Sequence, residues 1–409
     1  MKKLAYLIIF FIVFTKTYVL FSHYTRIPVG VVTLGVLTFS IFLLFIEYSK
    51  NNLKTPVNWT VSVFLFTVLG PLIVLTLTNS LDLRFYILQI LYFTIFLLAI
   101  QFVNLYGYST VNRIAVITLL FTGLFGAFSV VNPIFFKPFA NIVDALWFYG
   151  GRAYGFYLQP NSYGMAINII FLCVFASSKK DRTTLVLIPL YITFVIISGS
   201  RSAMAVMGLN LLLIAIRLAI TNRRALVYFG IIFIGLTVFI IVIVVPILID
   251  QFALDSDYAM ISERLFFMFG ADDNLGDMVE ADGSMQDRLE YQAKYIDAIK
   301  EKPFTGYGFG AQELLINKGK LIDTSHNTYL EILLQGGLPF FFLFILFCFQ
   351  LFANFFDLFF ISKTSSITFA YFGLLLLLLF YFSFSTTVLF ERVVYLSIGF
   401  LVPNRFMKN

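Results

Sequence analysis

The chain has 409 residues, of which 60% are hydrophobic and 12% are charged, and 52 of them are phenylalanine. A soluble fold would have to expose a large excess of Phe, Leu and Ile to water, so this composition excludes an ordinary soluble domain and is typical of a membrane protein. The net charge of +6 gives no reason to expect a nucleic-acid partner, because the basic residues lie beside apolar segments and most acidic residues lie in one polar stretch.

Long apolar runs follow one another along the whole chain. A helix needs roughly 20 mostly apolar residues to cross the ~30 Å hydrocarbon layer, and we predict about twelve such helices from the runs between polar breaks. The first run is not followed by a small-residue cleavage site, so we expect it to be retained in the mature protein. The predicted segments are 4–21, 29–45, 59–77, 85–103, 114–136, 163–175, 185–198, 203–219, 226–249, 338–355, 367–384 and 388–402.

Lysine and arginine are concentrated in alternate loops of this pattern. With both termini in the cytoplasm, every predicted inner loop is basic, as the positive-inside rule requires. The polar stretch 250–335, which holds sixteen of the 22 acidic residues, is then extracytoplasmic. The regions predicted are N-terminal transmembrane helices (1–136), an outer loop (137–162), central helices (163–249), a large outer loop (250–337) and C-terminal helices (338–409).

Metal and cofactor chemistry has little support in the sequence. Cys173 and Cys348 lie in apolar runs, and the two histidines are His23 and His326. Because no HExxH, CxxC or paired Cys/His spacing occurs, we expect neither a catalytic metal bound by these residues nor a cofactor. Chemistry must then come from arginine, histidine, carboxylates and hydroxyls.

The first outer loop ends in the sequence GGRAYGFYLQPNS, residues 150–162. Arg152 lies between glycines, which allow the backbone to approach another group closely, and a guanidinium suits bidentate binding of a phosphate or carboxylate. A snorkelling loop arginine is the structural alternative, and Asn161 fits either a ligand contact or a helix N-cap. Six aromatic residues here fit an interfacial belt: Trp147, Phe148, Tyr149, Tyr154, Phe156 and Tyr157.

The sequence ISGSRSA, residues 197–203, joins two predicted helices through a very short outer loop. Arg201 must therefore lie at the membrane boundary or slightly within it. A charge in that position is costly unless it is paired or hydrated, and such residues commonly mark a substrate pathway. The alternative is an ordinary turn with an N-cap serine.

Residues 286–302, QDRLEYQAKYIDAIKEK, predict an amphipathic helix on the membrane face of the large outer loop. The residues at helical spacing are Leu289, Ala293, Ile296 and either Ile299 or Lys300. Pro303 ends the helix. The following TGYGFG turn lacks the GK[ST] ending of a phosphate-binding loop and is no nucleotide signature.

His326 lies in the sequence DTSHNTYLEILLQGGLP, and we expect it in the first turn of a helix capped by Ser325 or Thr324. An imidazole can exchange a proton near neutral pH. The positive end of the helix dipole would lower its pKa and favour the neutral form that a general base requires. A lone histidine is more often structural, so the residues alone leave both interpretations open.

Together and in this order, the motifs RAYGFYLQPNSYG, SGSRSA, RLEYQAKYIDAIKEKPFTGYGFG and SHNTYLEILLQGG resemble the membrane O-antigen polymerase and ligase superfamily, over about residues 150–337. The resemblance implies an all-α polytopic membrane fold of the GT-C type with a large helical extracytoplasmic loop, in the inner membrane of a bacterium. It also implies transfer of undecaprenyl-pyrophosphate-linked glycans without nucleotide sugar or metal. The residues that the resemblance implies are Arg152, Arg201, Arg288 and His326, with Arg264 as a looser match. We assign Arg152, Arg288 and His326 as catalytic, and the substrate-binding residues that we assign are Asn161, Arg201, Arg264, Glu290, Asn327 and Tyr329.

Within this superfamily we favour a polymerase that joins lipid-linked repeat units into a surface polysaccharide such as O-antigen or capsule. The arginines would neutralise the pyrophosphate, and His326, helped by Glu290 or Asp323, would deprotonate or position the acceptor hydroxyl. The partners expected are the undecaprenyl-pyrophosphate-linked donor and acceptor, membrane lipids, chain-length regulators and flippases. A ligase acting on lipid A core is the alternative. A transporter would be expected to carry midplane charges and an internal repeat, and a receptor or scaffold would not need the arginine and histidine set.

Overall fold

The structure is a computed structural model in which every regular element of the described residues is helical, as the sequence predicts. It describes residues 2–18, 22, 28–50, 57–78, 83–132, 135, 152–157, 159–177, 181–239, 283–361, 365–384 and 391–401. The α-helices are α1 (Lys2–Thr15), α2 (Val29–Ser49), α3 (Val57–Phe64), α4 (Gly70–Thr78), α5 (Leu83–Val131), α6 (Pro160–Ser177), α7 (Asp181–Ile196), α8 (Arg201–Thr221), α9 (Arg223–Phe239), α10 (Gly283–Glu301), α11 (Ala311–Asn317), α12 (Thr328–Ile361), α13 (Ser366–Phe384) and α14 (Arg392–Leu401).

Seven helical stretches in the described part of the chain are long and apolar enough to cross a membrane, so this is a multi-pass membrane protein. Each of the predicted segments overlaps a helix, while the number of about twelve crossings stays a prediction. The seven stretches are Gly30–Ser49, Val57–Thr78, Phe85–Val131, Pro160–Ser177, Arg201–Thr221, Thr328–Phe360 and Ser366–Ser383.

Helix α5 replaces two predicted segments and the loop expected between them. Its backbone stays helical from Leu83 to Val131 except at Gly107, where φ is 70° and ψ is 168°. That conformation is readily available only to glycine. The polar residues of this region therefore lie on a broken helix and not in a loop.

Spatial contacts divide the chain into two compact units, each assembled from separate stretches of sequence. Unit 1 comprises Met1–Val32, Tyr106–Asp273 and Ser362–Leu374, and unit 2 comprises Thr33–Leu105, Asn274–Ile361 and Leu375–Asn409. This division follows contacts and not the side of the membrane, so it leaves the predicted topological regions untested.

Unit 1 is built around α6, whose residues are buried along almost its whole length. A buried amide joins this helix to two others: Asn168 donates from Nδ2 to the Ala203 carbonyl (3.1 Å) and accepts at Oδ1 from Asn210 Nδ2 (3.2 Å) and Tyr191 OH (2.5 Å). Hydrogen bonds of this kind hold helices together where the lipid offers no polar partner. They fix α7 and α8, and hence the turn between them, against α6.

The core of unit 2 is aromatic. Phe66, in the single π-helical turn Leu65–Leu69 between α3 and α4, stacks on Phe340 (5.4 Å between ring centroids) and on Phe347 (5.1 Å) of α12. Such ring pairs add to the packing energy of the apolar surface that they bury. They fix α12 against α3 and α4.

Helix α12 is broken at Gly337, where φ is 62° and ψ is −164°. The break frees backbone groups that the Gly-rich turn after α10 satisfies: Tyr307 N donates to Leu334 O (2.8 Å), Gly308 N to Gln335 O (2.8 Å), and Leu338 N to Pro303 O (2.9 Å). A helix break in a membrane protein is tolerated when neighbouring groups satisfy the freed backbone in this way. The Gly-rich turn thus bridges the break and is an internal splint for α12.

Candidate functional site

The candidate residues fall into two groups, one in each unit, and each group is described by itself. The arginine cluster consists of Arg152, Asn161, Arg201 and the turn formed by residues 197–200, all in unit 1. The histidine cluster consists of Arg288, Asp323, Ser325 and His326 with the residues of α10 that contact them, all in unit 2. Arg264 lies outside the described residues.

The segment that carries Arg152 is fixed by its backbone. The Ser129 hydroxyl of α5 accepts hydrogen bonds from the backbone N–H groups of Tyr154 (3.1 Å) and Gly155 (3.2 Å), and Ala153 N donates to Ile197 O (2.7 Å). Gly155 has a φ of 49°, and a Cβ there would lie only 3.3 Å from the Gly126 nitrogen. A glycine is therefore needed where the segment approaches α5.

The predicted interfacial belt is wrong for three of its aromatic residues. Tyr154, Phe156 and Tyr157 are buried inside unit 1, with no more than 4% of each residue exposed. The Phe156 ring lies 4.8 Å from that of Phe125, and the Tyr157 hydroxyl donates to the Phe14 carbonyl. These rings anchor the segment because burial of large aromatic surface is strongly favourable; Trp147, Phe148 and Tyr149 lie outside the described residues.

Arg152 is half-buried and oriented by two hydrogen bonds. Its Nε donates to the Ser198 carbonyl (2.9 Å) and its Nη2 donates to Asn161 Oδ1 (3.2 Å). The side chain crosses Gly199, whose missing Cβ would lie 3.0 Å from Arg152 Nε. Ser198 O and Asn161 Oδ1 orient the guanidinium fork through two of its N–H groups.

The sequence allowed Asn161 to be a helix N-cap, but in the structure it is not one. Helix α6 begins at Pro160, so Asn161 lies inside its first turn, and the exposed side chain contacts Arg152. Proline is favoured at the first helical position because its missing N–H would have no partner there. The start of α6 is thus fixed by Pro160, which leaves the Asn161 amide to position Arg152.

Arg201 is the first residue of α8 and is half-buried. Ser200 is the N-cap, and its hydroxyl accepts from Ala203 N (3.3 Å), so the N-cap serine of the alternative interpretation is present. A cation at a helix N-terminus is opposed by the helix dipole, whereas an anion is favoured there. Arg152 and Arg201 are both attached to this one turn, so the arrangement suits a bound anion.

In unit 2, the backbone of His326 is in the left-handed region, with a φ of 49°. Helix α12 begins at Thr328, and Asn327 is its cap, because Asn327 Oδ1 accepts from Tyr329 N (3.0 Å) and Leu330 N (3.3 Å). The prediction that Ser325 or Thr324 caps this helix, with His326 in its first turn, is therefore wrong. The Ser325 hydroxyl instead accepts from Asn327 N (3.1 Å) and closes the turn around His326.

Helix α10 is present as predicted, and one of its faces is turned toward His326. Arg288, Gln292 and Tyr295 are spaced i, i+4 and i+7, so they lie on one side of the helix. Gln292 Nε2 donates to the Ser325 carbonyl (3.4 Å). The predicted apolar stripe is a different face, on which Leu289 is 59% and Ile296 43% exposed.

The pKa of His326 is lowered from its ordinary value, first by burial and then by the positive charge of Arg288, while the Asp323 carboxylate opposes the shift. The direction agrees with the sequence prediction, but the causes are burial and Arg288 and not the helix dipole. Thr324 Oγ1 lies 3.2 Å from His326 Nε2. The turn therefore holds a neutral imidazole with a hydroxyl beside one ring nitrogen.

The other candidate residues lie in different environments. Tyr329 packs against the rings of Phe344 (5.7 Å) and Phe382 (6.1 Å), so its side chain belongs to the aromatic core of unit 2. Glu290 is exposed, and its charge acts on Tyr291. Of the two carboxylates considered as helpers of His326, the structure brings Asp323 to it.

Gln292 and Tyr295 were missed by sequence reasoning. Their i+4 and i+7 spacing from Arg288 was a usable signal, but the search for apolar periodicity selected the neighbouring face of the helix. Among the described residues, no group of three or more His, Cys, Asp and Glu could hold a metal ion.

Comparison with known protein families gives a match over part of the chain. Residues 185–345 match the model of the O-antigen ligase family, and no curated protein matches the chain. The matched region contains Arg201, Arg288 and His326, whereas Arg152 and Asn161 precede it. This partial match supports the resemblance of the chain to the O-antigen polymerase and ligase superfamily.

Proposed function

We propose that this protein is a glycosyltransferase that polymerises undecaprenyl-pyrophosphate-linked oligosaccharide repeat units into a surface polysaccharide, on the outer face of the bacterial cytoplasmic membrane. The family match supports glycan transfer from a lipid carrier. The observation that carries the proposal is the pair of arginines on one turn in unit 1. They form a preorganised cationic site of the kind that binds a pyrophosphate.

In this proposal the arginine cluster binds the donor pyrophosphate. A guanidinium presents parallel N–H donors that match phosphate oxygens, and the start of α8 adds backbone N–H groups. The contacts of Arg152 with Ser198 O and Asn161 Oδ1 hold its fork in one orientation before the donor arrives. Preorganised cations are most effective where negative charge develops on a leaving group.

The reaction proposed is attack of an acceptor hydroxyl on the anomeric carbon of the donor glycan. The bond between that carbon and the pyrophosphate oxygen breaks, and undecaprenyl pyrophosphate leaves with the bonding electrons. His326 takes the hydroxyl proton, for which its neutral imidazole is suited. Arg288 keeps the imidazole neutral, and Asp323 stabilises the imidazolium once it forms.

The finer topology belongs to the same proposal. About twelve crossings, with both termini cytoplasmic, would put the residues 150–162, 197–202 and 250–337 outside, where lipid-linked repeat units are displayed. The all-helical fold supports this, and a GT-C-like arrangement is the form that we expect. Arg264, Asn327 and Tyr329 remain candidate substrate contacts, with Asn327 and Tyr329 also serving the structural roles described above.

A ligase is the second candidate, because the matching family model is described as O-antigen ligase. The experiment that separates the two uses purified protein in vesicles that contain only one synthetic lipid-linked repeat unit. A polymerase produces a ladder of chain lengths from this single substrate. If the substrate stays unextended until lipid A core is added, and is then transferred to it, the protein is a ligase.

A further inference from the structure

Glu331 is a buried carboxyl that the proposed mechanism does not use. It lies one turn into α12 and is 2% exposed. Gln335 Nε2 donates to its Oε1 (2.7 Å), while its Oε2 is buried and has no hydrogen bond within the part of the chain that the structure describes. A buried carboxyl oxygen in that condition is costly unless a nearby donor satisfies it.

The donor that fits is the hydroxyl of Tyr295 on α10. Tyr295 is fully buried, and its hydroxyl makes no hydrogen bond of full geometry among the described residues, while it lies near enough to the Glu331 carboxyl and the Ser325 backbone to interact with both. Burial and the negative charge of Glu331 raise the pKa of Tyr295, and the backbone of Ser325 acts in the opposite direction. The hydroxyl is therefore a protonated donor that lies near both the carboxyl of Glu331 and the backbone of Ser325.

Ser325 is the residue before His326, and α10 contacts it from two positions. Gln292 Nε2 reaches the Ser325 carbonyl (3.4 Å), and Tyr295, one turn further along the same face, lies against its backbone. Arg288, one turn earlier on that face, acts on His326 itself. Residues on one face of α10 thus contact the turn in which His326 has a left-handed backbone conformation.

We propose that Glu331 is a positioning residue, whose carboxyl holds the Tyr295 hydroxyl against the Ser325 backbone and so fixes the His326 turn relative to Arg288. The apolar cluster around Tyr295, which includes Ala298, Leu315, Leu321 and Leu334, excludes water from this contact. A hydrogen bond in such surroundings is stronger than one exposed to water. The inference rests on the proposed function of His326 for its catalytic meaning, but not for its geometry.

The test is the titration of His326 by NMR in purified protein that carries labelled histidine. The chain has two histidines, so a His23→Gln background leaves His326 as the single signal. The variants are Tyr295→Phe, Glu331→Leu, their combination, and Glu331→Gln. Glu331→Gln keeps the side-chain shape and the oxygen that accepts from Gln335, places an NH2 group where the Tyr295 hydroxyl can accept from it, and removes the charge. Glu313→Gln is the matched control, since Glu313 is an exposed carboxyl on α11.

Loss of positioning loosens the turn, so burial and Arg288 act less on the imidazole. We expect Tyr295→Phe and Glu331→Leu each to raise the pKa of His326 toward its ordinary value, and the combination to raise it no further. Glu331→Gln and the Glu313→Gln control should leave it unchanged. If Glu331 acted through its charge, Glu331→Gln would instead lower the pKa of His326, and that result would overturn the proposal.

An unchanged titration in both Tyr295→Phe and Glu331→Leu would also overturn it. If Glu331→Leu fails to accumulate, Tyr295→Phe decides, because it removes a single oxygen. Chain growth measured on the same variants separates the two proposals. A shifted titration with a kcat lower on the order of 10-fold supports both, whereas a shifted titration with unchanged chain growth supports the positioning role and contradicts the proposed role of His326.

Discussion

The positive charge of Arg288 on α10 lowers the pKa of His326, which lies in the turn before α12. The two residues are 38 positions apart in sequence and are brought into register by the contact of α10 with Ser325. Because burial acts in the same direction, the imidazole stays neutral at a lower pH than an ordinary histidine does.

The pH dependence of chain growth should report this arrangement. A general base is active above its pKa and fails as the pH falls through it, so a lowered pKa should extend activity below the usual histidine range. Arg288→Gln removes a cause of the lowering and should move the acid limb to higher pH. Asp323→Asn removes the opposing carboxylate and should move it to lower pH. The measurement is kcat/KM as a function of pH. Acid limbs that stay in place in both variants, or that move in the same direction, would contradict the assignment of His326 as the general base.

The geometry of Arg152 can be separated from its charge. Arg152→Lys keeps the charge but cannot make the two directed bonds to Ser198 O and Asn161 Oδ1, so both Lys and Ala should lose about 10²-fold or more in chain growth. Arg224→Lys, at an exposed position in α9, is the control and should be neutral. Full activity of Arg152→Lys at equal protein level would mean that the fork geometry has no role.

The splint across the break in α12 should be intolerant of side chains. At Gly306 and Gly337 an added Cβ would lie 2.5 Å from the carbonyl oxygens of Gln335 and Phe304, and both φ values are positive. Each Gly→Ala variant should lose about 1–3 kcal/mol of stability from backbone strain alone, and more from the clash. Gly319→Ala shares the positive φ but meets no atom within 4 Å. Thermal unfolding in detergent should show the control to be clearly milder; three equal losses would contradict the splint.

Topology gives an independent prediction. Reporters fused after Lys180 or Arg224 should be cytoplasmic, and one inserted near Gly283 should be extracytoplasmic, because the basic loops stay inside. Accessibility of single cysteines to an impermeant reagent measures the same property. A cytoplasmic residue 283 would move the histidine cluster to the wrong side for lipid-linked repeat units.

The helices could be predicted because long apolar runs have few alternatives in lipid. The residues that cap the helix ends could not be predicted in the same way. Thr324, Ser325 and Asn327 are all good capping residues, and Asn327 is the cap in a chain whose backbone is left-handed at His326, a conformation that the sequence does not announce.

The burial of aromatic residues was equally undetermined by sequence. Composition cannot tell a belt of aromatic rings from a buried anchor, and the backbone bonds to Ser129 decide the matter for Tyr154. The face of α10 that meets His326 was missed because the polar residues Arg288 and Gln292 lie on it. Apolar periodicity identifies buried faces only where the contact itself is apolar.

The most direct test is chain growth from one purified lipid-linked repeat unit, measured in the presence of a chelator. It compares the wild type with His326→Ala at equal protein level. We expect a ladder of products from the wild type in chelator, because arginines supply the positive charge. His326→Ala should leave single repeat units on the carrier. A wild-type ladder from His326→Ala would contradict the account. So would a wild-type ladder that disappears in chelator and returns with a divalent ion.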